Sequence, residues 1–120
     1  MTLPTSPLAT AKQMKEAYEI FIENKRKTLI SFTETKGRPY LWQNPQNVSG
    51  LCPMEREDKV WIDNGAIYMD KVESFLKRKD WFDHSPVIPY FMDEMTGVDI
   101  DTELDYLKAK VFYRKIKGEI

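Results

Sequence analysis

Apolar residues recur at helical spacing between Thr10 and Asn24, where Met14, Ala17, Tyr18, Phe21 and Ile22 mark one face. Thr10 is a candidate N-cap with Pro7 just outside it, and Asn24 followed by Lys25, Arg26 and Lys27 closes the helix where cations suit its dipole. The next residues, Thr28 to Thr33 (TLISFT), are β-branched or aromatic and uninterrupted by charge, which predicts a short strand. A helix followed by a strand after a short basic turn suggests a β-α-β unit, whose preceding strand would end near Leu3.

Periodicity then disappears. From Glu34 to Asp58 the chain is punctuated by Gly37, Pro39, Pro45, Gly50 and Pro53. An irregular stretch of this length inside a domain is often functional or an arm to a partner. Lys59 to Met69 reads as a strand with Asn64-Gly65 in its middle, either a hairpin turn or a bulge. A short helix is expected over Asp70 to Arg78, with Val72, Phe75 and Leu76 facing inward. A strand is expected over Val87 to Met92 and a turn over Asp93 to Thr96. Thr102 to Lys117 is the last helix, with Leu104, Leu107, Val111 and Phe112 on its inner face. Its acidic start (Asp101, Glu103, Asp105) and basic end (Arg114, Lys115, Lys117) complement the helix dipole. Alternating strands and helices point to an α/β sheet, mainly parallel with one strand running against the rest.

Composition narrows the function more than the fold. The chain has 120 residues, enough for one domain or part of one, with 42% hydrophobic and 31% charged residues. Its net charge of -1 gives no overall field toward nucleic acid or an anionic membrane. The Lys-Arg-Lys triplets at 25–27 and 77–79 therefore read as solvated helix ends rather than a nucleic-acid surface. A single cysteine, Cys52, excludes an internal disulfide, and its Pro-rich surroundings offer nothing to activate it. The first residues lack the basic and apolar regions of a signal peptide, and the longest apolar run, Pro86 to Met92, is too short to span a bilayer. A soluble, cytoplasmic protein is the expectation. His84 is the only histidine, which leaves no Ser-His-Asp triad or zinc set, and it is expected on the surface. No Walker-type or dinucleotide glycine loop occurs in the chain.

Two segments could carry chemistry. Asp99 and Asp101 are two apart, so in extended backbone they share a side with Cα atoms roughly 6.5 Å apart. That pair could reach one hard cation such as Mg²⁺. The same segment could simply cap the last helix, with Asp101 or Thr102 as N-cap and Asp105 in the first turn. Asn64-Gly65 offers a side-chain amide and a backbone position open to close approach, or an ordinary turn.

Three blocks in order shift these readings. Pro4-Thr5-Ser6-Pro7-Leu8, followed by the helix bearing Glu16-Ala17 and the strand Leu29-Ile30-Ser31-Phe32, is the first. The second is Asn64-Gly65-Ala66-Ile67-Tyr68, and the third is Asp99-Ile100-Asp101-Thr102-Glu103 with Asp105 after it. Together they resemble the C-terminal half of the acylneuraminate (CMP-sialic acid) cytidylyltransferase family. The resemblance implies a partial nucleotide-diphospho-sugar-transferase-like fold of three layers. It also implies CMP transfer from CTP to a sialic-acid-like sugar acid with release of pyrophosphate. By the same resemblance Asp99 and Asp101 would hold Mg²⁺, Asn64 and Gly65 would line the sugar-acid pocket, and Ser6 would lie near the nucleotide. Residues 34–58 would be a dimerisation arm, with Leu41 and Trp42 as contacts in a homodimer. The family's Gly-rich nucleotide loop has no counterpart in these residues, so the chain by itself is expected to be an incomplete enzyme. The competing expectation is a non-catalytic, dimerising structural module derived from the same fold.

Overall fold

In the computed structural model, residues 1–25, 27–34, 40–42, 51–53, 61–78 and 86–120 are described. Helix α1 (Ala11–Glu23) begins where the sequence expects. The Thr10 hydroxyl accepts the Gln13 N–H and the Gln13 side chain accepts the Thr10 N–H, a reciprocal capping box that satisfies two otherwise orphaned groups. After a turn with Lys25 in the left-handed region, strand β1 (Leu29–Glu34) follows. A short antiparallel pair, β2 (Tyr40–Trp42) and β3 (Leu51–Pro53), lies within the stretch expected to be irregular. The rest of the supposed arm, and His84, lie outside the described residues. Strand β4 (Trp61–Met69), helix α2 (Val72–Arg78), strand β5 (Ile88–Met92) and helix α3 (Glu103–Ile116) complete the order.

The fold is α/β, with β1 at the centre of a three-stranded sheet in the order β4-β1-β5. Among the described residues this sheet is mixed in equal parts rather than mainly parallel. β1 pairs with β5 in parallel and with β4 antiparallel. On the far side of β4, Met1 and Tyr68 exchange both backbone bonds, as facing residues of an antiparallel pair do. Among the described residues no strand comes before α1, although Leu3 lies close to β4.

Alternation along the strands sets the core. Leu29 of β1, Ala66 and Ile67 of β4, and Tyr90 and Met92 of β5 pack with Ala17 and Phe21 of α1. The intervening β5 residues Pro89 and Phe91 are exposed on the other face. Tyr90 reaches past the core to donate to the Glu16 carboxylate at 2.7 Å, which ties α1 to β5.

Three expected helix faces differ from those observed. In α1 the buried stripe runs through Met14, Ala17, Ile20 and Phe21, while Tyr18 and Ile22 are exposed. The narrow sheet covers only one stripe, and small Ala17 permits close approach there. In α2, Val72 and Leu76 are exposed, and Phe75 alone of the expected trio turns inward. In α3 the inward stripe is Asp105, Ala109 and Phe112, whereas Leu104, Leu107 and Val111 are exposed. Ala109 is the buried member, with Asp105 and Phe112 half-buried about one turn to either side of it. Among the described residues no helix is long and apolar enough to cross a membrane.

Candidate functional site

The site is built on an interruption in the β1–β4 ladder. Ile30 faces Tyr68 and Phe32 faces Asp63, so the single residue Ser31 stands opposite residues 64–67. The Asn64-Gly65 pair is therefore a bulge within one strand, not a hairpin turn. Side chains replace the missing ladder bonds. Ser31 Oγ accepts the Ile67 N–H at 2.8 Å and donates to Asn64 Oδ1 at 2.6 Å. Asn64 Oδ1 also accepts the Ala66 N–H, and Asn64 Nδ2 donates to Thr33 Oγ1 at 2.8 Å and to Met92 Sδ at 3.6 Å. The amide of Asn64, 4% exposed, thus has both hydrogens and both acceptor directions committed inside the protein.

The base of the bulge is clamped as well. Tyr68 donates its hydroxyl to the Asp63 carboxylate, 2.8 Å from Oδ2, while Asp63 Oδ1 accepts the Gly65 N–H. Burial pushes the Tyr68 phenol well above its ordinary value, and the hydrogen bond and charge of Asp63, then the charge of Asp99, push it further. Gly65 adopts a φ of +72°, a conformation that side chains resist. A Cβ there would lie 3.2 Å from Leu3 Cδ1 and 3.6 Å from Asp99 Oδ2. Gly97 closes the other side, where a Cβ would collide with Thr33 Oγ1 and come within 2.8 Å of Asn64 Nδ2.

The bulge brings the three sequence blocks together. Leu3 and Asp99 flank the side of Gly65 where a Cβ would stand, and the Ile100 N–H donates to the Thr5 carbonyl at 2.9 Å. Ser6 is buried, donates its N–H to Leu3 O, and leaves its Oγ without a hydrogen-bond partner. Asp99 is partly buried, and its Oδ1 is buried without a partner. Asp101 is exposed. It is not the cap of α3. Thr102 takes that place, its hydroxyl accepting the Asp105 N–H, while Asp105 Oδ2 accepts the N–H groups of Thr102 and Asp101. The hydrogen bond from the Thr102 hydroxyl, then those from the Asp101 and Thr102 amides, hold the Asp105 carboxyl below the usual carboxylate range. Capping thus occupies Asp105 and leaves the carboxylates of Asp99 and Asp101 to other roles. Among the described residues, no group of three or more His, Cys, Asp or Glu side chains is placed to hold a metal. Beside the Ser6-Pro7 turn, an open apolar cleft of about 380 Å³ is lined by Pro7, Leu8, Ile100 and the Tyr106, Ala109 and Lys110 side of α3.

The sequence singles out Asn64, Gly65, Asp99, Asp101 and Ser6, but not Ser31, Thr33, Asp63, Tyr68 or Gly97, which surround the bulge. Ser31 did carry a signal. A serine at a core-facing position of an otherwise apolar strand must find partners, because buried polar groups are costly unpaired. Gly97, by contrast, gives no local sign of the side chains it must avoid.

No family model matches the chain. Its sequence is 28% identical over 112 residues to the N-acylneuraminate cytidylyltransferase of Streptococcus agalactiae serotype V, covering 86% of this chain and 27% of that protein. The protein of the same name from serotype III of that species matches to the same extent. The chain is also 26% identical over 110 residues to the post-translational flagellin modification protein B of Campylobacter coli, covering 85% of this chain and 46% of that protein. It therefore spans about a quarter of the length of the cytidylyltransferases it matches. Over most of its own length the chain is similar to N-acylneuraminate cytidylyltransferases, the resemblance that its three blocks carry.

Proposed function

We propose that this chain supplies the metal and acceptor side of a cytidylyltransferase centre. The reaction would transfer CMP from CTP to a sialic-acid-like sugar acid and release pyrophosphate. The observation that carries the reading is the meeting of the three blocks, two of which hold an orphaned buried polar atom, Ser6 Oγ and Asp99 Oδ1. A buried carboxylate oxygen with no protein donor suits a hard cation, which prefers such oxygens. Asp99, with Asp101 two residues on, would hold Mg²⁺. The cation would neutralise charge on the triphosphate as the phosphoryl group is transferred. Gly65 would present backbone to the sugar acid, with Asn64 beneath it as the floor of the pocket. Ser6 would face the nucleotide end. These elements are read as part of the larger three-layer fold that the resemblance implies, and the working protein as a cytoplasmic homodimer.

Two carboxylates without triphosphate oxygens should bind Mn²⁺ or Mg²⁺ weakly, because Mg²⁺ needs near-octahedral oxygen ligation. Calorimetric titration with Mn²⁺ should show one weak site, abolished in Asp99→Asn and weakened in Asp101→Asn. A site that persists in Asp99→Asn, or no site at all, would overturn the assignment. Pyrophosphate release by the purified chain with CTP, Mg²⁺ and a panel of sugar acids is expected to stay at the background level, since no Gly-rich loop is present to hold the triphosphate. Turnover that depends on a sugar acid would refute the incomplete-site reading.

A second reading has its own support. Leu104, Leu107 and Val111 form an exposed apolar stripe on α3, which suits a non-catalytic module that dimerises. A monomer by sedimentation at high micromolar concentration would count against self-association, which both readings expect, and the Mn²⁺ titration separates the two.

A further inference from the structure

The Asp99 carboxylate stands beside the bulge of β4. Its Oδ2 lies 3.6 Å from where a Cβ on Gly65 would stand, and Gly65 is held by neighbours on both sides. On one side Asp63 accepts the Gly65 N–H, and on the other Asn64 Oδ1 accepts the Ala66 N–H. Side chains join this bulge to the rest of the sheet: Asn64 Nδ2 donates to Thr33 on β1 and Met92 on β5, and Ser31 alone bonds both limbs. Ser31 is fully buried on the central strand, and its hydroxyl bridges the two limbs of the bulge, donating to Asn64 Oδ1 and accepting from Ile67 N. Without it, the bond from Asn64 Nδ2 to Thr33 Oγ1 still ties the first limb to β1, but the Ile67 N–H loses its partner there. We propose that Ser31 is a positioning residue for the Asp99 carboxylate, acting through the Asn64–Ile67 bulge and the close approach of Gly65 to Asp99. Its bearing on cation binding rests on the reading of Asp99 given above.

The chemistry at Ser31 is specific. A hydroxyl is needed because the same atom must donate to an amide oxygen and accept a backbone N–H. Alanine keeps the shape of the strand but removes both bonds, leaving Asn64 Oδ1 and Ile67 N–H short of partners in a buried place. Cysteine nearly preserves the volume and supplies only a weak donor and acceptor. The bulge is then free to relax, and Gly65 moves with it against Asp99.

The test compares the full chain with Ser31→Ala and Ser31→Cys by NMR at a urea-free condition where each is folded. The Asp99 carboxyl carbon and the Gly65 amide should shift in Ser31→Ala, and by less in Ser31→Cys, while Lys110 and Val111 on α3 stay unchanged. If Ser31→Ala does not fold, the same comparison is made with Ser31→Cys, which leaves no cavity. Folded variants with unmoved Asp99 and Gly65 signals, however destabilised, would overturn the proposal and leave Ser31 a purely structural residue. A second measurement titrates Mn²⁺ alone. Wild type should bind about tenfold more tightly than Ser31→Ala, the lower end of what outer-shell changes cost a metal site. Should Asp99→Asn leave Mn²⁺ binding intact, the metal reading fails, but the NMR comparison still decides whether Ser31 positions Asp99.

Discussion

Gly65→Ala should destabilise the protein by about 1–2 kcal/mol, and the origin of that cost is visible in the structure. At a φ of +72° an L side chain brings Cβ close to the carbonyl oxygen, a penalty of about 1–2 kcal/mol. The new methyl would also meet Leu3 Cδ1 at 3.2 Å and Asp99 Oδ2 at 3.6 Å. The first contact is tight but lies at the end of a flexible side chain, and the second is ordinary contact, so the backbone term dominates. With a urea dependence of about 2 kcal/mol per molar, the unfolding midpoint should fall by about 0.5–1 M. Tryptophan fluorescence can follow it, since Trp61 opens β4 and lies against Phe91 with ring centroids 4.4 Å apart and planes tilted by 46°. Gly65→Asn should cost less, because Asn tolerates the left-handed region. Gly118 is a matched control, with a φ of +74° but nothing within 4 Å of its missing Cβ. It follows α3 in a Schellman turn, with the Glu119 N–H donating to Arg114 O and the Gly118 N–H to Lys115 O. That turn is terminal and can unwind alone, so Gly118→Ala should barely move the global midpoint. An unchanged midpoint in Gly65→Ala would refute the bulge geometry.

Other outcomes follow from the same contacts. Thr102→Ala should cost about 1 kcal/mol by removing the N-cap of α3, whereas Asp101→Ala should be nearly silent for folding; chemical denaturation of both distinguishes the true cap. Asn64→Ala should lower stability by about 2–4 kcal/mol, since Ser31, Thr33 and the Ala66 N–H all lose a partner in a buried place. Burial acts to raise the Asp93 carboxyl, but the Thr96 hydroxyl and the Thr96 and Met95 amides outweigh it and hold the group below its ordinary value. A depressed folded value means that its stabilisation is present above the unfolded carboxyl value of about 4 and is lost as pH falls through the folded value. Tyr68 has the opposite sign. Its raised folded value gives stabilisation that is complete below about 10 and is lost as pH rises through the folded value, so urea midpoints should decline at alkaline pH, and less steeply in Tyr68→Phe.

The parts of the fold that local sequence controls were legible. The Thr10 cap, the bounds of α1, strands β1 and β5, and the start of α3 all follow from residues within a few positions of one another. Faces were less legible, because burial depends on what the element meets. Leu104, Leu107 and Val111 make a sound helical stripe, yet α3 turns Ala109 inward. The direction of β4 against β1 depends on residues far apart in sequence, and nothing local distinguishes it. At the site, the Asn-Gly pair announced irregular backbone, but the choice between bulge and hairpin was made by Ser31, thirty-three positions from Asn64. The close approach of Asp99 to Gly65 and the Thr5–Ile100 bond join three blocks that the sequence shows only in order.

The most direct test of the metal-and-acceptor reading is paramagnetic broadening by Mn²⁺ in NMR spectra of the full chain. The account predicts that amide signals of Gly65, Asp99, Ile100 and Asp101 broaden first as Mn²⁺ is added, and that Asp99→Asn removes the effect. Broadening centred instead on Glu34, Asp93 and Glu94 around the opposite hollow, or a uniform effect without a focus, would contradict it.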